Sequence, residues 1–259
     1  MSQLERPPGG PPSDPQPSDQ HESDRPQPGR RPSDGHSSDR RQHPGWRTSA
    51  LWLLAAALLI WLVLVVIGHL LGHQWSKSGL VRWDASVDRH LAADRRDPWT
   101  EVTHLATFLA ETITVIAAGL VAFALLRLGL KRWREPLFLA VSLIGEVTIF
   151  VSTTLLVDRA RPPVRHLDSA PPTSSFPSGH TAASVALYGG LAVIAWRVGA
   201  AAWLRTLATA AAVLVPVLVA VSRMYRGMHY PTDVIAGALL ACCWLAATST
   251  VILGRRTPP

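Results

Sequence analysis

Cysteine is nearly absent from this chain. The two present among 259 residues, Cys242 and Cys243, stand side by side in an apolar run. Neighbours on a helix point about 100° apart and do not pair. No disulfide framework and no metal-ligand spacing can be read from them, and both are taken as small helix residues. Apolar side chains are almost missing from the first fifty residues, which are rich in Pro, Ser, Asp, Gly, Gln and Arg and half repeat a Pro-Ser-Asp theme. Such a stretch cannot bury enough surface to offset its ordering entropy, so residues 1–49 are expected to form a disordered polar tail. It has no apolar core near its start and does not read as a signal peptide. Common nucleic-acid motifs are also missing, although the net charge is +7. The basic excess is therefore assigned to membrane lipid and to an anionic substrate, with no nucleic-acid partner.

What is present is long apolar runs. Six segments follow the tail, at about Ala50–Leu71, Val102–Leu126, Pro136–Val157, Gly179–Trp196, Ala201–Val221 and Thr232–Leu253. Runs of this length cross a bilayer as helices. The expected fold is all-α, a six-span transmembrane helical bundle over residues 50–253. Between the first two spans, Leu80, Trp83, Val87 and Leu91 recur at helical spacing. Two readings stay open there: an amphipathic helix lying on the membrane surface, or a plain solvent loop.

Basic residues set the expected orientation. Arg40, Arg41 and Arg47, then Arg127, Lys131, Arg132 and Arg134, then Arg197 and Arg205, then Arg255 and Arg256 mark one set of span ends, with few acids to balance them. The opposite ends carry mixed charge, as in Asp84, Asp88, Arg89, Asp94, Arg95, Arg96 and Asp97. Both termini are then cytoplasmic, and the loops after the third and fifth spans face the periplasm or exterior of a cell membrane. Arg159, Arg161 and Arg223 lie on that outer side against the trend, which suggests a task for them.

Three polar stretches converge on the outer face: Val157-Asp158-Arg159-Ala160-Arg161-Pro162-Pro163, Phe176-Pro177-Ser178-Gly179-His180-Thr181, and Ser222 to Asp233. Arginine offers forked donors matched to phosphate oxygens. Ser178 and Gly179 stand where a helix begins, where free N–H groups favour an anion. One histidine can attack phosphorus while another protonates the departing oxygen. Asp233, four residues after His229, is placed to fix the tautomer of that histidine, with Pro231 in the first turn of the helix.

These residues resemble the signature of the type 2 phosphatidic acid phosphatase family, which has three motifs: a Lys, six residues and Arg-Pro; Pro-Ser-Gly-His; and Ser-Arg, five residues, His, three residues, Asp. The second is complete at Pro177 to His180 and the third at Ser222 to Asp233. The first matches only at Arg161-Pro162, because Thr154 stands where the family has its Lys. By span layout the resemblance covers roughly residues 78–253. It implies a metal-independent lipid phosphatase without a cofactor. His229 would be the nucleophile forming a phosphohistidine, Asp233 its orienting partner and His180 the general acid. Arg161, Arg223, Ser178 and Gly179 would bind the phosphate oxygens, and Arg159 would replace the missing Lys. The implied substrate is a membrane lipid phosphate or pyrophosphate of the phosphatidic acid, phosphatidylglycerol phosphate or polyprenyl pyrophosphate class. The alternatives are a lipid-linked phosphotransferase and a vanadium haloperoxidase-like oxidase, the latter disfavoured by six spans. The oligomeric state is not readable.

Other polar residues receive blander readings. Arg226 is balanced between a phosphate contact and a loop residue. Arg165, His166 and Asp168 read as loop decoration, and Tyr225, Tyr230 and Trp99 as interfacial anchors. Glu111 and Glu146 fall within apolar spans, where an ionisable group is costly. The favoured reading of Glu146 is a hydrogen-bonded carboxyl that holds helices together.

Overall fold

Twenty-nine residues without an acid make the first membrane helix. In the computed structural model, which describes residues 45–170 and 172–254, α1 (Trp46–His69) continues through a π turn to Gln74. The expected polar tail lies outside the described residues as far as position 44. Its last four residues, Trp46 to Ser49, belong to the first turn of α1, because Trp46 already opens the apolar face. A short linker leads to α2 (Gly79–Ala93) and α3 (Asp97–Phe108), followed by α4 (Thr112–Leu130) and α5 (Arg134–Leu156). A long loop then reaches α6 (Gly179–Ser184), which runs on through a π turn into α7 (Gly190–Arg197). The chain closes with α8 (Ala202–Tyr225) and α9 (Pro231–Thr248), the last extended by a π turn to Leu253.

Five of these helices are long and apolar enough to cross a membrane: Trp46–Gln74, Thr112–Leu130, Arg134–Leu156, Ala202–Tyr225 and Pro231–Leu253. The remaining expected span, Gly179–Trp196, is one continuous helical rod that ends at Arg197 and whose first turn is polar. It is packed among α5, α8 and α9 rather than turned outward.

The second expected span, Val102–Leu126, is not one helix. It breaks at Leu109–Glu111, between α3 and α4. Ala110 N–H closes a tight turn on the Thr107 carbonyl at 3.0 Å, and Tyr188 donates its hydroxyl to the Leu109 carbonyl at 3.2 Å. The carbonyl freed by the break is thereby satisfied, as burial demands. Glu111 is consequently the residue that precedes α4, and it is exposed rather than sunk in a span.

The polar segment after α1 is helical rather than a plain loop. Ser78 caps α2 by accepting the Val81 N–H at 3.3 Å. Leu80 and Trp83 are exposed, while Asp84 and Asp88, one turn apart, are fully buried against the protein. This helix turns Asp84 and Asp88 inward and leaves Leu80 and Trp83 on the outside.

The core of the bundle is α1, α5, α6–α7 and α9, where Phe138, Leu139, Ala182, Leu187, Leu240 and Ala241 have essentially no exposed surface. Within a bilayer, close packing and interhelical hydrogen bonds replace the hydrophobic drive. Two such bonds join α5 to α9: the Ser142 and Thr248 hydroxyls at 3.0 Å, and Trp244 Nε1–H to the Val141 carbonyl at 3.2 Å.

Candidate active site

The three polar stretches meet at one end of the bundle, held by backbone hydrogen bonds between them. Ser175 N–H donates to the Arg159 carbonyl at 2.9 Å, Ser178 N–H to the Asp233 carbonyl at 2.9 Å, and Leu167 N–H to the Arg226 carbonyl at 3.1 Å. Gly237, on the second turn of α9, permits the closest approach. A Cβ there would stand 2.3 Å from the Ser178 carbonyl oxygen. A cavity of about 800 Å³ opens beneath this junction. Arg161, His180, Arg223 and His229 line it, together with Thr154, Gly179 and Asp168. Below them the wall is apolar, formed by Leu143, Ile144, Val147, Val151 and Leu155 of α5 with Ile116 of α4.

His229 sits in the short α8–α9 loop and is 5% exposed. Its Nδ1 lies 2.7 Å from the Ser175 carbonyl oxygen. A carbonyl can only accept, so Nδ1 carries the proton and Nε2 keeps a free lone pair. Burial, and after it the charges of Arg223 and Arg161, hold the imidazole well below its ordinary pKa of 6.5, against the opposing pull of the Ser175 hydrogen bond. The ring is therefore neutral at physiological pH.

Asp233 is close to His229 without bonding to it. Its Oδ2 is 3.9 Å from Nδ1 and accepts the Tyr230 N–H at 2.9 Å, while Oδ1 accepts from Arg159. The expected orienting role is thus taken directly by the Ser175 carbonyl. Asp233 caps α9 and places a carboxylate beside the ring.

Arg161 donates Nη1–H to the Met228 carbonyl at 2.9 Å, and Arg223 donates Nη1–H to Asp168 Oδ2 at 2.7 Å. Each keeps a buried Nε without a partner. Both guanidinium groups border the cavity, where an anion would offset their charge.

Arg159 is not on the cavity. It is 4% exposed, donates Nη2–H to Asp84 Oδ2 at 2.8 Å and Nη1–H to Thr232 Oγ1 at 2.7 Å, and stacks over Tyr230 at 4.4 Å. Its donors are consumed by α2 and α9, so it cannot replace the absent Lys. Thr154 lines the cavity and spends its hydroxyl on the Phe150 and Val151 carbonyls. Ser178 is also withdrawn: its hydroxyl pairs with Thr181 at 3.0 Å, and it has no exposed surface. Gly179 does reach the cavity, but its lack of a side chain serves packing, because a Cβ there would fall 2.6 Å from Phe150 Cζ. The backbone N–H groups that open this helix remain unspent donors.

Several residues read as surface features are built into the site. Arg226 is buried, with Nε and Nη2 both on the Asp168 carboxylate and Nη1 on the Thr100 carbonyl. Asp168 therefore clamps Arg223 and Arg226 together. Burial alone would raise its pKa, but the Arg226 hydrogen bond and the charges of both arginines outweigh that and hold it below the usual carboxylate range. Tyr225 is buried and accepts the Arg96 N–H at 2.8 Å, and Tyr230 lies under Arg159. Neither is an interfacial anchor. Arg165 offers its carbonyl to Arg95 Nη1–H at 2.6 Å, and His166 Nε2 bonds the Pro162 carbonyl at 3.0 Å.

Asp84 went unnoticed as a site residue, although two acids one turn apart on a short helix facing a basic loop were a usable signal. It accepts from Thr232 N–H at 3.1 Å and from the Thr232 hydroxyl at 2.5 Å, so it caps α9 from outside. Asp88 has both oxygens buried without a partner. Burial first, then Asp233 and Asp84, push its pKa up to about 8.

Residues 135–256, which hold all three motifs but not Asp84 and its helix, match the model of the PAP2 superfamily. Over this segment the chain resembles the PAP2 superfamily. Its fold is similar to that of a transmembrane PAP2-type phosphatidylglycerolphosphate phosphatase from Bacillus subtilis, at a TM-score of 0.65 and 20% identity over 80% of this chain and 100% of that one. An undecaprenyl-diphosphatase of Sulfolobus acidocaldarius is 32% identical over 115 residues, 44% of this chain. The match spans about half of that relative, 51% of its length.

Proposed function

We propose that this chain is a metal-independent lipid phosphatase, hydrolysing a lipid phosphate or pyrophosphate through a phosphohistidine at His229. The observation that carries this reading is the state of His229: Nδ1–H spent on the Ser175 carbonyl, the ring kept neutral, and Nε2 left free in a residue that lines the cavity. Nε2 attacks phosphorus while the bond from phosphorus to the leaving oxygen breaks. Arg161 and Arg223 hold the phosphoryl oxygens and offset the charge that builds on them. His180, on the same cavity, gives its proton to the leaving oxygen. It then takes a proton from the water that attacks the phosphohistidine, which releases phosphate and restores Nε2. The imidazolium formed in the first step is stabilised by the Asp233 carboxylate 3.9 Å away.

The apolar wall below the site suits a lipid tail, and the clustering of basic span ends on the opposite side supports a site on the outer face of the membrane. The test is phosphate release by purified protein from a panel of lipid phosphates and pyrophosphates with EDTA present, against a His229→Ala control. EDTA-resistant release that the substitution abolishes is the expected result. Release that needs a divalent metal, or that survives the substitution, overturns the mechanism.

A further inference from the structure

Glu146 is the one acid on α5 that faces the cavity. It is 3% exposed, it lines the cavity wall, and among the described residues its carboxyl has no hydrogen-bond or ion-pair partner. It does not tie helices together, as the sequence had suggested. A carboxyl buried on a wall shared with Leu143, Val147 and Phe150, with no ion-pair partner, is cheapest as the neutral acid, which has one O–H to donate. An unmade hydrogen bond at such a site is costly, and an occupant of the cavity is placed to make it.

Depth identifies that occupant. Phe150 is four residues above Glu146, about 6 Å along the axis, and the Phe150 ring abuts Gly179, the residue before His180. Glu146 thus lies roughly one helical turn below the phosphate-binding end. In a diacyl glycerolipid the ester carbonyls stand a few bonds from phosphorus, at about that depth, and they are acceptors. A polyprenyl pyrophosphate has its last acceptors on the inner phosphoryl group, three bonds from the attacked phosphorus, and only hydrocarbon beyond, which leaves the O–H unpaired at that depth.

We propose that Glu146 determines specificity by donating a hydrogen bond to an acyl ester carbonyl of the substrate, so that the site takes a diacyl glycerolipid phosphate. This rests on the phosphatase reading above and narrows it to one substrate class. Sites built around a hydrogen bond discriminate against ligands that cannot complete it.

The experiment compares kcat/KM for a diacylglycerol phosphate and its dialkyl ether analogue, in mixed micelles, with a polyprenyl pyrophosphate as a third substrate. The wild-type ester-to-ether ratio should be about tenfold, in keeping with one buried hydrogen bond. Glu146→Gln, which keeps an N–H donor, should retain most of that ratio, and Glu146→Leu should bring it close to one, chiefly through KM. Because the ratio is taken within one protein, partial misfolding cancels. A wild-type ratio near one overturns the inference even if Glu146→Leu fails to fold, and so does a tenfold ratio that persists in Glu146→Leu. Hydrolysis confined to the polyprenyl pyrophosphate overturns it while leaving the phosphatase reading intact. No release from any lipid phosphate overturns the phosphatase reading itself.

Discussion

Asp84 on α2 and Arg159 in the loop after α5 form a buried ion pair, 2.8 Å between Oδ2 and Nη2, with Asp233 on the far side of the guanidinium. Three segments far apart in sequence are thus locked behind the catalytic loop. Removing one member of a buried ion pair leaves the other charge unpaired, at a cost of about 3–5 kcal/mol. Arg159→Met should therefore lower the thermal midpoint in detergent and reduce kcat. Binding of vanadate, a phosphate mimic, should change little in the protein that remains folded. If Arg159 touched phosphate, vanadate affinity would fall instead, with the midpoint nearly unchanged.

His229 should carry the covalent intermediate. Rapid acid-free quenching with a phosphorus-labelled substrate should trap label on the wild-type protein and none on His229→Ala, with turnover reduced by at least about a thousandfold. Because the folded imidazole is held well below 6.5, the unfolded chain binds the extra proton first as pH falls. Stability attributable to this residue is present above pH 6.5 and declines below it. The acid limb of kcat/KM due to His229 should likewise lie well under 6.5.

Asp88 should make stability fall as pH rises. Its folded pKa of about 8 exceeds the ordinary 3.8, so the folded state holds a proton that the unfolded chain releases. The contribution is whole below pH 3.8 and is lost by the time pH has risen through 8. Asp88→Asn, neutral throughout, should flatten this slope, and at pH 9 its thermal midpoint should exceed that of the wild type. Parallel slopes for the two proteins across pH 5–9 would argue against a protonated Asp88.

Gly237→Ala should separate α9 from the Pro-Ser-Gly-His turn. The added methyl meets a backbone oxygen at 2.3 Å, so a helix or a loop has to move. A cost of about 1–3 kcal/mol in stability is expected, with a larger relative loss of turnover because both histidines are positioned by that contact. Thermal melting and phosphate release on the same preparation check both parts.

Most of the spans could be read in advance because hydropathy is a local property, and Ala202–Tyr225 begins within a residue of the expected Ala201. The break at Leu109–Glu111 could not, since it depends on a hydroxyl from Tyr188, 79 positions away. Arg161, His180, Arg223 and His229 stood out because their chemistry is carried by side chains at recognisable spacing. Ser175 left no trace, because a carbonyl does its work and every residue has one. The misplacement of Arg159 had a similar origin: charge count nominated it for the anion, but its partner Asp84 is 75 residues upstream. Proximity in sequence to Arg161 said nothing about which way its guanidinium would turn.

The apolar cavity wall has one further consequence. Ile116, Ile144, Val151 and Leu155 line the cavity and are also substantially exposed on the outside of the bundle, so the chamber has an open flank rather than only a mouth. A lipid can slide its headgroup in sideways while its tails stay among neighbouring lipids. The search for substrate is then two-dimensional, and the relevant concentration is a mole fraction within the leaflet. Adding inert amphiphile at constant bulk substrate would slow the enzyme by diluting the surface it patrols.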